Sequence, residues 1–133
     1  MKIAGNDSSP IYVKELALAG GAGQTTTWTA LANPAGVDVQ ILRAWIRVTT
    51  ASTGASTVDV GIGATSATSS DVLLDGISLA STGFKDSADG TDNGTNGVAK
   101  PQLWEDDAFV TVTEASGDVA GLVGTLYVEY TYL

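Results

Sequence analysis

Two short stretches hold the residues that could do chemistry. DSADGTDNGTNG, residues 86–97, packs three Asp, two Asn and three Gly together. That is the composition of a calcium loop. An EF-hand loop needs oxygen ligands at positions 1, 3 and 5, Gly at position 6 and a bidentate Glu at position 12. The best register places Asp89, Thr91, Asn93 and Gly94 correctly but puts Lys100 at the twelfth position. A cation there excludes the EF-hand. A looser calcium site, completed by backbone carbonyls or distant acids, stays open beside the plainer reading of a polar turn, because Asp, Asn and Gly all tolerate left-handed backbone. The second stretch, LWEDDAF (103–109), sets Glu105, Asp106 and Asp107 side by side. A glycosidase needs two carboxylates facing each other across a cleft, and adjacent acids point in different directions. They read as a solvated turn before a strand.

The chain contains no His and no Cys. This excludes Ser-His-Asp and Cys-His catalysis and His- or Cys-ligated zinc, and it leaves only carboxylates, Lys, Arg, Tyr and Ser/Thr as reactive groups. The Gly-rich stretches 19–27 and 61–66 lack the Gly-Lys-Ser/Thr of a phosphate loop. We therefore expect no enzyme activity, no cofactor and no resident metal.

The remaining candidates are for contact. RAWIR (43–47) puts Arg43, Trp45 and Arg47 on one face of a strand. Cation–aromatic–cation spacing can stack nucleic-acid bases. However, the formal net charge is −9, with six basic residues against fifteen acids, so phosphate and anionic membrane surfaces repel the chain. A protein interface, where Trp and Arg are favoured anchors, fits better, as does intramolecular pairing of the arginines with some of the fifteen acids. Trp104 reads as a rim or interface aromatic. With Ile3 and Pro10 on the amino-terminal stretch and Tyr12 at the first strand, these residues form the predicted partner surface.

The elements that must position them are strands. One hundred and thirty-three residues, 44% of them hydrophobic, are enough for one domain with its own core. Residues 1–10 read as an extended arm, and residues 11–133 as the folded domain. MKIAGNDSSPIY lacks the apolar stretch of a signal peptide, and no apolar run is long enough to span a bilayer, so the chain is expected to be soluble and made in a cytoplasm. Val, Thr, Ile, Tyr and Trp recur in short runs at 11–18, 25–31, 37–50, 57–63, 108–116 and 122–133, separated by Gly, Ser, Asn and Asp. Within 37–50 the apolar parity slips between Ile41 and Leu42, which predicts a β-bulge or a strand that changes sheets. Residues 70–76 allow one helical turn capped by Ser70, followed by a short strand at 77–79. Residues 81–101 read as one long loop, which we expect to order against a neighbour. GDVAG (117–121) reads as a hairpin connection. The two-faced strand 125–133 is expected to be central or covered rather than a free edge, which suggests a homo-oligomer. The sum is an all-β, single-domain β-sandwich, most simply a jelly roll.

Three passages carry a resemblance: STVDVGIGATSATSSDVLLDGISL (56–79), DNGTNG (92–97) and FVTVTEASGDVAGLVGTLYVEYTYL (109–133). The chain resembles the small, acidic, Gly/Ser/Thr/Ala-rich β proteins among the virion structural components of tailed bacteriophages. The resemblance implies a capsid decoration, or cement, role: a jelly-roll homotrimer on the capsid surface of the virion, with the major capsid protein as partner and an amino-terminal arm laid over neighbouring subunits. It carries over no individual residue. A glycan- or receptor-binding module of a head or tail fibre is the alternative, with Trp28, Trp45 or Trp104 as sugar-stacking rings.

Overall fold

A computed structural model describes residues 10–21, 27–86 and 101–133. Ile3, the rest of residues 1–9, and all of 86–97 except Asp86 lie outside the described residues. So do the acids of the rejected calcium register.

Nine antiparallel strands form two sheets, and no helix occurs among the described residues. They are β1 (Ile11–Ala19), β2 (Thr27–Ala32), β3 (Val39–Thr50), β4 (Ser56–Gly63), β5 (Leu74–Ser78), β6 (Gly83–Asp86), β7 (Gln102–Trp104), β8 (Phe109–Gly117) and β9 (Val123–Tyr132). One sheet runs β1-β9-β3-β6, with β7 also on β3; the other runs β2-β8-β4-β5. Since β9 lines one side of β3 throughout, β6 and β7 lie end to end along its other side. The pairings are nested: β1 with β9, β2 with β8, β3 with β6 and β4 with β5.

The sandwich follows from period-two patterning. On β3, Val39, Ile41, Ala44, Ile46 and Val48 are buried; on β9, Leu126 and Val128 join them. Facing them across the core are Leu31, Val58, Val60, Ile77, Val110 and Val112. Each of the Val, Leu and Ile side chains among them contributes roughly 1.5–3 kcal/mol by leaving water. The parity slip on β3 is a bulge: the pairing with β9 shifts between Ile41 and Arg43, and the strand stays in its sheet. Strand β9 is central, flanked by β1 and β3, so its two-faced pattern is satisfied inside one chain. That removes its value as a sign of oligomerisation.

Three local expectations are corrected. Residues 70–76 form no helical turn. Leu73 N donates to the Val60 carbonyl at 2.9 Å and β5 pairs with β4, so the backbone is satisfied by a sheet while Leu73, Leu74, Ile77 and Leu79 are all buried. Residues 81–101 are not one loop: they begin with β6, an edge strand on β3. The segment 117–121 is not a hairpin, because β8 and β9 belong to different sheets. It is an arch across one end of the sandwich, where Val119 and Leu122 plug the core and Gly20 N donates to the Leu122 carbonyl at 2.9 Å. Gly117 (φ 77°) and Gly121 (φ 78°) let the chain turn there. At Gly117 a Cβ would fall 2.0 Å from the Ala55 carbonyl oxygen, so no other residue fits.

Residues 64–70 close over the outer face of β4. Their approach depends on Gly61, where a Cβ would meet Ser70 Oγ at 2.1 Å. Ser70 Oγ in turn accepts from Ile62 N at 3.2 Å. The outer side of the four-stranded sheet is thus partly roofed, while the outer side of the five-stranded sheet carries no such cover among the described residues.

Candidate functional site

That open face carries RAWIR. Because Ala44, Ile46 and Val48 point into the core, Arg43, Trp45 and Arg47 point out, as their spacing predicts. The register sets their neighbours. Tyr127 lies between Glu15 and Trp45, Glu129 between Val13 and Arg43, and Thr125 between Ala17 and Arg47. On the far side, Asp86 pairs with Trp45 and Phe84 with Arg47.

These side chains are locked together. The Trp45 and Tyr127 rings stack at 5.2 Å between centroids and 11° between planes. The Arg43 guanidinium lies over the Trp45 ring, 4.7 Å from its centroid, in reach of a cation–π attraction. Arg43 Nε donates to Asp86 Oδ1 at 2.9 Å, and its Nη2 donates to Asp86 Oδ2, giving a two-pronged ion pair. The bond to Asp86 raises the Arg43 pKa above its ordinary value, against a smaller opposing effect of burial, with the charges of Asp86 and Glu129 adding to the rise. Both partners are partly solvated, so the pair contributes order more than stability. Four residues from three strands thus form one preset ladder, Asp86–Arg43–Trp45–Tyr127.

The other predicted contact residues separate. Tyr12 sits on edge strand β1, 40% exposed, stacked on Tyr130 (5.6 Å, 24°) and edge-on to Tyr132 (5.4 Å, 86°). Burial, and then repulsion from the charges that Tyr132 and Tyr12 carry when ionised, push the Tyr130 phenol pKa up. Pro10 is exposed, with its carbonyl accepting from Thr131 Oγ1 at 2.8 Å. Ile3 lies outside the described residues. Trp104 is no rim aromatic. It is wholly buried, edge-on to Tyr130 (5.9 Å, 88°), and its Nε1 donates to the Ala108 carbonyl at 3.1 Å. The acids after it do form an exposed turn. Asn33 ties that turn down, its Nδ2 donating to the carbonyls of Val37 (3.0 Å), Trp104 (3.1 Å) and Glu105 (3.0 Å).

Sequence reasoning missed Tyr127, Asp86 and Glu129 as members of this face. The alternation in TLYVEY already put Tyr127 and Glu129 on one side; only the pairing of β9 with β3 was wanting. Asp86 stands out in sequence only as the first acid of a polar stretch, because the four-residue strand it ends has too short a period to reveal its partner. Among the described residues no group of three or more acids is arranged to hold a metal ion, and no helix is long and apolar enough to cross a membrane.

The fold is an all-β sandwich whose five-stranded sheet carries the preset ladder of Asp86, Arg43, Trp45 and Tyr127 on its outer face. No family model matches the chain, and no curated protein matches it. A solved structure does: a chain of the capsid of Ralstonia phage GP4, 19% identical, superposes with a TM-score of 0.63 over 96% of this chain and 88% of that one. At that identity the likeness is one of fold.

Proposed function

We propose that this protein is a bacteriophage capsid decoration (cement) protein. It binds the outer capsid surface as a homotrimer, takes the major capsid protein as its partner and stabilises the shell by bridging major capsid subunits. Its place is then the virion, and it catalyses nothing. The observation that carries this reading is the near full-length likeness to a chain of a phage capsid structure. The nested strand pairing supports it further, since it is what a jelly roll produces, and jelly rolls recur in viral capsid domains.

The preset Arg43–Trp45 ladder supports contact with protein. Its side chains are already ordered, so little conformational entropy is lost on docking. Ile3, Pro10 and Tyr12 would add the amino-terminal arm, residues 1–10, to the shell contact. Trimer symmetry multiplies weak contacts by avidity. The glycan-binding alternative is less well supported. Trp104 is buried, Trp28 packs on the core with its Nε1 bonded to the Ala19 carbonyl at 3.3 Å, and Trp45 is engaged by Tyr127 and Arg43.

Co-sedimentation with expanded empty capsids of the phage that encodes the chain tests the reading. Saturable binding at near-physiological salt is expected. Failure to bind, or binding to a glycan array instead, would overturn it.

A further inference from the structure

The two ends of β3 carry opposite chemistry on the same sheet. At one end, Leu103 pairs with Gln40. Beside it lie Asp38, Glu105, Asp106 and Asp107, all exposed, with the Asp38 carboxylate accepting from Asp106 N at 3.0 Å. No Lys or Arg occurs in residues 31–42 or 101–110, so these two segments together carry a formal charge of −4. It is apolar as well, with Leu103 49% and Val37 48% exposed. At the other end, Phe84 pairs with Arg47 and is 67% exposed, the most exposed aromatic among the described residues. Lys85 follows it, its Nζ bonded only to the neutral Ser81 hydroxyl at 3.1 Å. Among the described residues the ion pair of this sheet joins Arg43 and Asp86, so Arg47 presents a cation beside an exposed Phe84 and a half-exposed Val123, while Lys85, paired with the inward Ile46, adds its charge from the other side of the same edge. Gln40 and Arg47 are seven residues apart on one strand, which sets the two ends about 20 Å apart at ~3.3 Å per residue.

We propose that the acidic, apolar end of one copy, around Leu103 and Asp106, docks on the basic, apolar end of a second copy, around Arg47 and Phe84. The occupant is assigned by charge. In a chain of net charge −9, two copies repel at long range, and a site of opposite sign offsets that repulsion where they meet; the Arg47 end is such a site. Its complement, four uncompensated acids flanked by exposed Val37 and Leu103, is on the same chain. Because the two patches differ, the contact is head-to-tail. Such a contact closes into a ring or continues as a filament. It supplies the ring in the decoration reading and rests on that oligomer, but not on the shell as partner.

Sedimentation equilibrium of the full chain at low salt tests this. We expect a finite oligomer with the mass of three copies. Arg47→Glu and Asp106→Lys, each checked for an unchanged far-UV circular dichroism spectrum and urea midpoint, should each weaken association by about tenfold or more. The double swap Arg47→Glu/Asp106→Lys should restore it, since the charges are exchanged rather than lost. A wild-type chain that stays monomeric at tens of micromolar overturns the proposal. So does a two-copy species that grows no further, or an oligomer indifferent to both single substitutions. Capsid co-sedimentation, read separately, keeps the two ideas apart. Shell binding by a monomer sinks the head-to-tail contact and the homotrimer but leaves the shell as partner, and a ring that ignores shells sinks the decoration reading alone.

Discussion

At the scale of single residues, the two tryptophans that looked alike in sequence have opposite roles. Trp104 is flanked by Leu103 and three acids, a setting that reads as surface, yet its ring fills the core against Tyr130 and its Nε1 is bonded to the Ala108 carbonyl. Trp104→Ala should therefore destabilise the fold by about 3–5 kcal/mol in urea unfolding. Trp45→Ala should cost much less stability but weaken capsid binding more than Glu105→Ala does; equal, small effects on binding would remove RAWIR from the contact surface. Asp59 offers a third test. Burial raises its carboxyl pKa, with the Asp75 and Asp71 charges adding to the rise and the bond from Gly76 N, at 2.8 Å, opposing it. A folded-state pKa above the unfolded value means that the folded chain holds this proton more tightly. Stability from this group therefore falls as pH rises through the carboxylate range. Asp59→Asn keeps an oxygen to accept from Gly76 N and removes the charge. It should raise Tm at pH 7, and the gain should shrink toward zero as pH drops through that range. A gain that persists at acid pH would mean that the charge is not its cause.

At the scale of elements, what could be read from the sequence was whatever is local to one strand. The parity slip at Ile41 and Leu42 announced the bulge in β3, and the alternation in TLYVEYTYL announced a strand with neighbours on both sides. Most of the differences at this scale concern which strand a segment joins. GDVAG has the glycines of a hairpin, but the same glycines suit an arch, and the choice is made by β8 joining β2 and β4 while β9 joins β1 and β3. Residues 83–86 look like loop because a four-residue edge strand has no period to detect, and the three residues of β7 have less. Ser70 looked like a helix cap, yet its hydroxyl is fixed by Ile62 N across the Gly61 gap. That gap is itself testable. Gly61→Ala would drive a methyl into Ser70, including its backbone carbon at 2.4 Å, and overpacking of this kind costs about 1–3 kcal/mol. The loss should appear in urea unfolding together with faster amide exchange across residues 64–70. Unchanged exchange there would show that the loop does not depend on the glycine.

At the scale of the whole molecule, charge acts in two opposite directions. A net charge of −9 on a chain of this length repels itself in the compact state, and several of the acids sit in groups without a base, such as Asp38 with Glu105, Asp106 and Asp107. Raising salt from about 0.01 to 0.15 M shortens the screening length from roughly 30 to 8 Å, which relieves that repulsion within each copy. The urea midpoint of the chain should therefore rise modestly over this range. Contacts made by opposite charges respond the other way: Arg47 of one copy would lose its attraction for the acids of the next as the same salt is added. Association between copies should weaken while each copy becomes harder to unfold. The apolar groups at those ends, Phe84, Leu103 and Val37, are indifferent to screening, so association should fall to a plateau rather than vanish. Measuring the urea midpoint and the association constant on one sample series separates the two effects. If stability and association rise together with salt, the copies meet through an apolar surface alone, and the charge pattern at the ends of β3 serves only to keep the protein in solution.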